Sequence, residues 1–473
     1  MKSNDVKLTV VGAETPTRRR SAVTFVADSK DAAPFHLRGN FAPVPTETLA
    51  VDLPIQGAVP RALRGLYVRN GPNPKAGQSS HWFVGDGMLH GVELRDGRAA
   101  WYRNRWVRTR RFVEDAPPLG PDGLRDLTVG VANTHVVAHA GLLLALVETS
   151  FPMEVTRELE TVGCFDFGGR LTTGMTAHPK LCPRTGELHF FGYSFMPPFL
   201  TYHRADAGGR LVQSEVIEVR GPTMIHDFAI TDRHVVFMDL PLVFDLEMAM
   251  AGTLPYRWSD EYGARVGVMP RGGTSADVRW TEVSPCYVFH PLNAYEDEDG
   301  AVIMDVVRYP ELWRDGLFAG PPGCLHRWRI DAGAGRVSEQ PLDDRAVEFP
   351  RLDDRRLGLA HRYGYAVYTE RSIDHGIGTS LIKYDLRAGG SATHDFGPGR
   401  LPAEPVFVPA SSAAAEDEGC LLTYVYDSAR DGSDLVILDA ADFTGKPVAT
   451  ISLPQRVPFG FHGSWIPDPG KTS

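Results

Sequence analysis

The sequence predicts an all-β protein, a sandwich, barrel or propeller, and three observations predict it. Strand-like apolar runs follow one another along the chain, each bounded by Gly, Asp, Asn or Pro. Long amphipathic helical periodicity is nearly absent. The 48 glycines and 36 prolines are spread over the whole length, as short strands joined by tight turns require.

The N-terminal stretch, residues 1–33, reads as a flexible tail. Its Arg18-Arg19-Arg20 is similar to the start of a twin-arginine signal, but the segment after it is too short and polar for an apolar signal region. No composition break follows about residue 40, so residues 34–473 form one domain. The predicted strands include 135–139, 142–148, 188–193, 234–238, 302–307, 363–369, 421–426 and 435–438. A helical turn interrupts them at 245–250. The stretch 225–237 alternates, turns at Thr231-Asp232 and returns, a pattern that recurs. No WD or kelch signature accompanies it. The Gly85-Asp86-Gly87 turn reads as a structural hairpin.

Bulk properties exclude several function classes. A net charge of −10 makes a poor nucleic-acid binder, since phosphate contacts need a basic face. It also disfavours retention on anionic lipid, so membrane contact is expected to be weak and peripheral at most. The basic run 103–111 reads as a solvated strand end. Five cysteines with no C-x-x-C pair argue against a disulfide framework or zinc ribbon and for reduced thiols in a cytoplasmic protein. The longest aliphatic run, 142–147, is far below a membrane span.

Chemistry enters with histidine. His178, His226, His290 and His462 lie in apolar or turn contexts, and a nitrogen-only site suits Zn, Cu, Fe or Ni. Zinc hydrolases use three ligands and a water. Four ligands on an iron that takes six leave two positions open. The intervals between the four are 48, 64 and 172 residues. If residues 41–473 make seven blades of about 62 residues each, the first two intervals are near one blade and the last near three. One histidine per inner strand then converges on a propeller axis. Four neutral ligands leave a dication uncompensated, which outer carboxylates remedy while fixing each ring. Glu148, Glu348 and Glu404 sit in suitable apolar contexts. The alternative is that each pairs with an arginine, such as Arg351 for Glu348. The chain has 16 histidines, and spacing alone does not select four of them.

The motifs do. Gly39-Asn-Phe-Ala-Pro-Val44, Gly65-Leu-Tyr-Val-Arg-Asn-Gly-Pro-Asn-Pro74, His81-Trp-Phe-Val-Gly-Asp-Gly-Met-Leu-His90 and Ala132-Asn-Thr134 come first. Thr176-Ala-His-Pro-Lys180, Ile225-His-Asp-Phe228, Phe289-His-Pro-Leu-Asn-Ala294, Glu348-Phe-Pro-Arg351, Glu404-Pro-Val-Phe-Val-Pro409 and Phe461-His-Gly-Ser-Trp465 follow. In this order, from about Phe35 to Trp465, the chain resembles the carotenoid cleavage oxygenase family, which includes lignostilbene dioxygenase relatives. The resemblance implies a seven-bladed β-propeller with a cap of loops and short helices over an axial Fe(2+) site. It implies His178, His226, His290 and His462 as iron ligands, with Glu148, Glu348 and Glu404 behind them. Thr134 matches a threonine near the open iron position in some members, with a backbone-bonded strand end as the plainer reading. The implied reaction is cleavage of a conjugated C=C bond with O2, giving carbonyl products from a hydrophobic substrate held in an apolar tunnel.

Within the family, the phenolic branch uses a lysine before the first glutamate and an upstream tyrosine. Here Val147 takes the lysine's place, and residues 122–130 contain no tyrosine. Loss of both groups weakens phenol selectivity, so a carotenoid or apocarotenoid is expected. A stilbene or phenylpropene is the alternative, and a non-catalytic propeller binding a hydrophobic ligand the further one. Phe83 and Val147 are expected at the tunnel. Residues 112–126 read as too polar for a lipid-inserting patch, leaving 195–200 or 254–258 as the alternative entrance rim.

Overall fold

The computed structural model describes residues 34–314, 316, 320–370 and 377–468. The predicted N-terminal tail lies outside the described residues.

Seven antiparallel sheets form the blades of a propeller. The first blade combines Leu49–Val51, Gly65–Pro72, Gly87–Arg95 and Arg98–Trp106 with the last strand of the chain, Gly463–Pro467. Leu66 pairs with Ile466 and Val68 with Ser464, so the two ends of the domain close the ring. The next blades span residues 135–164, 180–216, 229–282, 287–341 and 347–395. The seventh runs from Arg400 to Ser452 and takes in the early strand Ile55–Gly57, a second closure.

Side-chain pattern follows position in the blade. Gly65–Pro72 is buried along its whole length, because an inner strand packs against the neighbouring blades on both faces. The outermost strand Leu211–Val216 alternates buried and open positions, since one of its faces meets water. Close backbone approach holds the closure: a Cβ on Gly71 would lie 2.7 Å from Gly460 Cα.

Strands predicted at 188–193 and 363–369 match their observed bounds, and 142–148 ends earlier, at Leu146. Glu148 therefore lies past the strand in a turn, where its carboxylate is free to point at the axis. The helical turn at 245–250 is the helix Leu246–Met250, capped by Asp245, whose side chain accepts from Met248 N. The Gly-Asp-Gly turn is no tight hairpin. It ends a long connection, residues 73–86, in which Asp86 Oδ2 accepts from Lys75 N at 2.9 Å. The basic run is the end of strand Arg98–Trp106 and the start of helix Arg110–Glu114, with Arg105 and Arg108 paired to Glu160 and Glu47. All five cysteines are free.

Candidate metal centre

The four histidines come from four blades' axial ends. His178 and His226 stand just before Lys180–Leu181 and Ala229–Ile230, the first strands of their blades. His290 lies within Tyr287–Glu296, and His462 immediately precedes the closing strand. Between His290 and His462 the chain builds two blades whose first segments contribute Glu348 and Glu404 instead. The long interval in the sequence is thus filled by two carboxylates.

The rings converge. Their centroids lie 4.5–5.1 Å apart in five of the six pairs. His226 Nε2 is 3.0 Å from His178 Nε2 and 3.3 Å from His290 Nε2. Ligand atoms of His178, His290 and His462 all lie within 4.8 Å of one another.

Behind the rings stand the glutamates. His226 Nδ1 donates to Glu148 Oε2 at 3.0 Å, His290 Nδ1 to Glu348 Oε2 at 2.6 Å, and His462 Nδ1 to Glu404 Oε1 at 2.9 Å. Each bond puts the ring's proton on Nδ1 and leaves a lone pair on Nε2. Lone pairs facing one another at 3.3 Å repel, and a cation between them removes the repulsion. With metal–nitrogen bonds of roughly 2.1 Å, adjacent ligands of an octahedral ion stand roughly 3.0 Å apart, which the observed contacts match. The charge fits too. Arg351 pairs with Glu404 at 3.0 Å, and Lys180 with Asp227 at 2.7 Å. Three carboxylates less one guanidinium leave two negative charges around the cluster, the complement of a divalent ion.

Local backbone serves this geometry. Phe349 has φ +52°, costly for a bulky residue, at an irregularity in the pairing between Glu348 and Arg351. The bend lets Phe349 N donate to Glu348 Oε2 at 2.6 Å and stacks the Phe349 ring on His290, with centroids 5.7 Å apart. Tyr309 Oη adds a third donor to Glu348, at 2.8 Å on Oε1. Burial, then the neighbouring imidazoles, push His178 and His462 well below the usual histidine range, keeping them neutral. Burial acts the same way on His290, but the Glu348 charge outweighs it and the net shift is upward.

The expected alternative pairing of Arg351 with Glu348 does not occur; the guanidinium binds Glu404, and Glu348 is held by His290, Tyr309 and backbone. Among the other described histidines, His135 lies nearest, 5.3 Å ring to ring from His462, but its two nitrogens meet the Ala177 carbonyl and the Ser464 hydroxyl.

An apolar cavity of about 1190 Å³ opens onto the centre. His226, His290, His462, Glu148 and Glu348 reach it, as do Thr134, Val147 and Phe83. Thr134 Oγ1 donates to Asn133 Oδ1 at 2.9 Å. Both expected entrance segments contribute, through Phe195, Met196 and Leu254 to Tyr256, while Leu119 and Leu124 join from the segment read as polar. Val147 lines the cavity, and Arg111, Arg125, Tyr193 and Tyr256 are among its other lining residues. Arg125 lies inside the tyrosine-free stretch 122–130, and both tyrosines come from later parts of the propeller.

Residues 41–467 match the model of the family described as retinal pigment epithelial membrane protein. A carotenoid cleavage oxygenase of Mycobacterium tuberculosis is 43% identical over 91% of this chain and 97% of its own length. The chain belongs to the carotenoid cleavage oxygenase family. Carotenoid 9,10(9',10')-cleavage dioxygenase 1 of Arabidopsis thaliana is 36% identical, over 92% of this oxygenase and 90% of the relative. Among solved structures, lignostilbene dioxygenase of Pseudomonas brassicacearum superposes with a TM-score of 0.83 at 32% identity, covering 92% of this chain and 100% of that one. Cobalt-substituted Synechocystis ACO gives 0.81 at 28% identity, over 92% and 98%.

Proposed function

We propose that the protein is a non-haem Fe(II)-dependent dioxygenase that cleaves a conjugated C=C bond in a carotenoid or apocarotenoid. The bond and one O2 are consumed, and each alkene carbon ends as an aldehyde or ketone carbonyl, so both oxygen atoms are accounted for. One observation carries the reading: a four-histidine cluster, with His178, His290 and His462 buried and His226 partly so, is charge-balanced for a dication and faces an apolar cavity larger than the roughly 300–1,000 Å³ typical of small-molecule sites. His178, His226, His290 and His462 would hold the iron, which when bound supplies the redox chemistry that activates O2.

The chain's own groups do the rest. Glu148, Glu348 and Glu404 hold three imidazoles in the tautomer that presents Nε2. Phe289 packs edge-on against His226, centroids 5.2 Å apart, and Phe349 stacks on His290. These rings, with Phe83, Phe461 and Val147, give the polyene an apolar bed that fixes the double bond beside the metal and keeps bulk water away. Thr134, at the cavity wall near His462, has its hydroxyl turned to Asn133 and so offers a compact, self-satisfied surface there.

The reading includes a cytoplasmic location, supported by the five free cysteines. It includes no nucleic-acid partner and at most weak membrane contact, for which exposed Leu119, Leu124, Phe195, Met196, Leu246 and Met250 at the cavity rim are the contact groups.

Cleavage of a stilbene or phenylpropene is the second reading. The likeness to lignostilbene dioxygenase and the polar groups inside the cavity favour it. Product masses from β-carotene, apocarotenals and resveratrol decide between them. The first reading expects paired carbonyl fragments from a polyene. Cleavage of resveratrol alone would favour the second, and binding without oxygen consumption would reduce the protein to a ligand-binding propeller.

A further inference from the structure

Arg125 is a cation of this largely apolar cavity, which Arg111 also lines, and no role so far absorbs it. It sits at the base of a short hairpin closed by the Leu119–Arg125 bridge. Its Nε donates to the Thr149 carbonyl at 2.5 Å, and Thr149 directly follows Glu148. One edge of the guanidinium is therefore fixed to the backbone beside the metal network. The two Nη groups have no protein acceptor among the described residues, and the side chain opens onto the cavity. Tyr193 and Tyr256 line the same cavity, close enough to feel the charge of Arg125. Phe244 packs edge-on to Tyr256, and Phe195 stacks on Phe244 at 4.8 Å, so aromatic surface encloses the polar group.

A guanidinium walled by apolar surface is satisfied by water while the cavity is open. A hydrocarbon that fills the cavity strips that water and leaves the donors unpaired, a cost with nothing to offset it. An oxygen acceptor on the ligand replaces the water in kind, and the fork of donors suits a carbonyl, carboxylate or phenol oxygen. We propose that Arg125, with Tyr193 and Tyr256 beside it, is a specificity-determining anchor for an oxygen-bearing end of the substrate. It selects oxygenated conjugated alkenes over hydrocarbons and sets that end on the Glu148 side of the metal centre. The assignment rests on the cavity being the alkene-binding site. It narrows the substrate class to alkenes that already carry an oxygen.

The test compares matched ligand pairs on the iron-loaded protein without oxygen, by absorbance titration. One pair is an apocarotenal and a hydrocarbon carotene with the same number of conjugated double bonds. The other is a hydroxystilbene and unsubstituted stilbene. Wild type is expected to bind the oxygenated member at least about tenfold tighter in one pair or both, and the pair that shows it identifies the oxygen's source. Arg125→Met should bring that ratio to within about threefold of one, while Arg125→Lys, which keeps a cation, retains part of it and controls for folding. Tyr193→Phe and Tyr256→Phe should give intermediate ratios. No preference in either pair, or a preference that survives Arg125→Met, overturns the anchor. Readmitting oxygen separates the two claims: a ratio that depends on Arg125 but with no alkene cleaved defeats the oxygenase reading and leaves the anchor standing.

Discussion

Replacing Glu348 by glutamine keeps the shape of the site and removes one of its charges. Glu348 is 2% exposed and accepts three hydrogen bonds, from His290 Nδ1, Tyr309 Oη and Phe349 N. In one amide orientation glutamine still offers its oxygen to His290 and Phe349, and Tyr309 turns its hydroxyl to accept from the new NH2. What is lost is the charge assistance of the His290 bond, worth roughly 1–2 kcal/mol, and one of the two net negative charges that balance the metal. Removing such a partner typically lowers metal affinity by roughly 10–100-fold, about 1.4–2.7 kcal/mol. We expect Glu348→Gln to fold with an unchanged circular-dichroism spectrum and to bind Fe(2+) within that range more weakly than wild type, by anaerobic competition with a chromophoric chelator. Glu348→Leu should do worse and lose fold stability as well, since it strands three buried donors at about 1–3 kcal/mol each. A folded glutamine variant that binds iron within twofold of wild type would refute the charge-balance argument.

Other consequences are smaller. Tyr309→Phe removes one donor from Glu348 and should weaken metal binding by about 1 kcal/mol, read in the same titration. Gly71→Ala sets a Cβ 2.7 Å from Gly460 Cα; it should push the segment before His462 aside, lowering the melting temperature by several degrees and the bound metal with it. Burial pushes the Glu296 carboxyl up, but hydrogen bonds from His234, Thr231 and Arg233 N outweigh it and hold the carboxyl at about 2, below its usual 4.5. This stabilisation is full above the unfolded pKa and is lost as pH falls through 2, and at about 1.4 kcal/mol per pH unit it amounts to roughly 3 kcal/mol. Urea unfolding should find Glu296→Gln less stable by about that much at pH 7, the gap narrowing by roughly 2 kcal/mol by pH 3. A gap constant over that range would contradict it.

Much of the fold and the metal cluster was legible in the sequence because each signal was local. Short runs such as 188–193 carry their own strand pattern, and each of the four clustered histidines sits in its own motif. Even the interval of 172 residues between His290 and His462 made sense as three blades. What was hidden depends on contacts between segments far apart. Arg351 follows Glu348 by three residues, yet strand geometry sends it to Glu404, because the bend at Phe349 turns consecutive side chains to different partners. Tyr309 reaches Glu348 from the second strand of the preceding blade, which no pattern around either residue announces. Phe83 and Val147 line the cavity as expected, but its polar lining depends on contacts of the same distant kind. Val147 and the stretch 122–130 upstream of it carry no lysine and no tyrosine. The polar groups that line the cavity come from Arg111, Arg125 and later parts of the propeller. Leu119 and Leu124 look sparse among polar neighbours, but the hairpin brings them together at the rim.

The central claim is that four imidazoles hold one ferrous ion on which alkene cleavage depends. Measuring iron per chain and 18O2 incorporation on the same samples, wild type and His226→Ala, tests it most directly. The account predicts about one iron per wild-type chain and paired carbonyl products carrying label from O2. It predicts loss of both iron and products in His226→Ala. Full cleavage by metal-depleted wild type, or by a His226→Ala protein without iron, would contradict it.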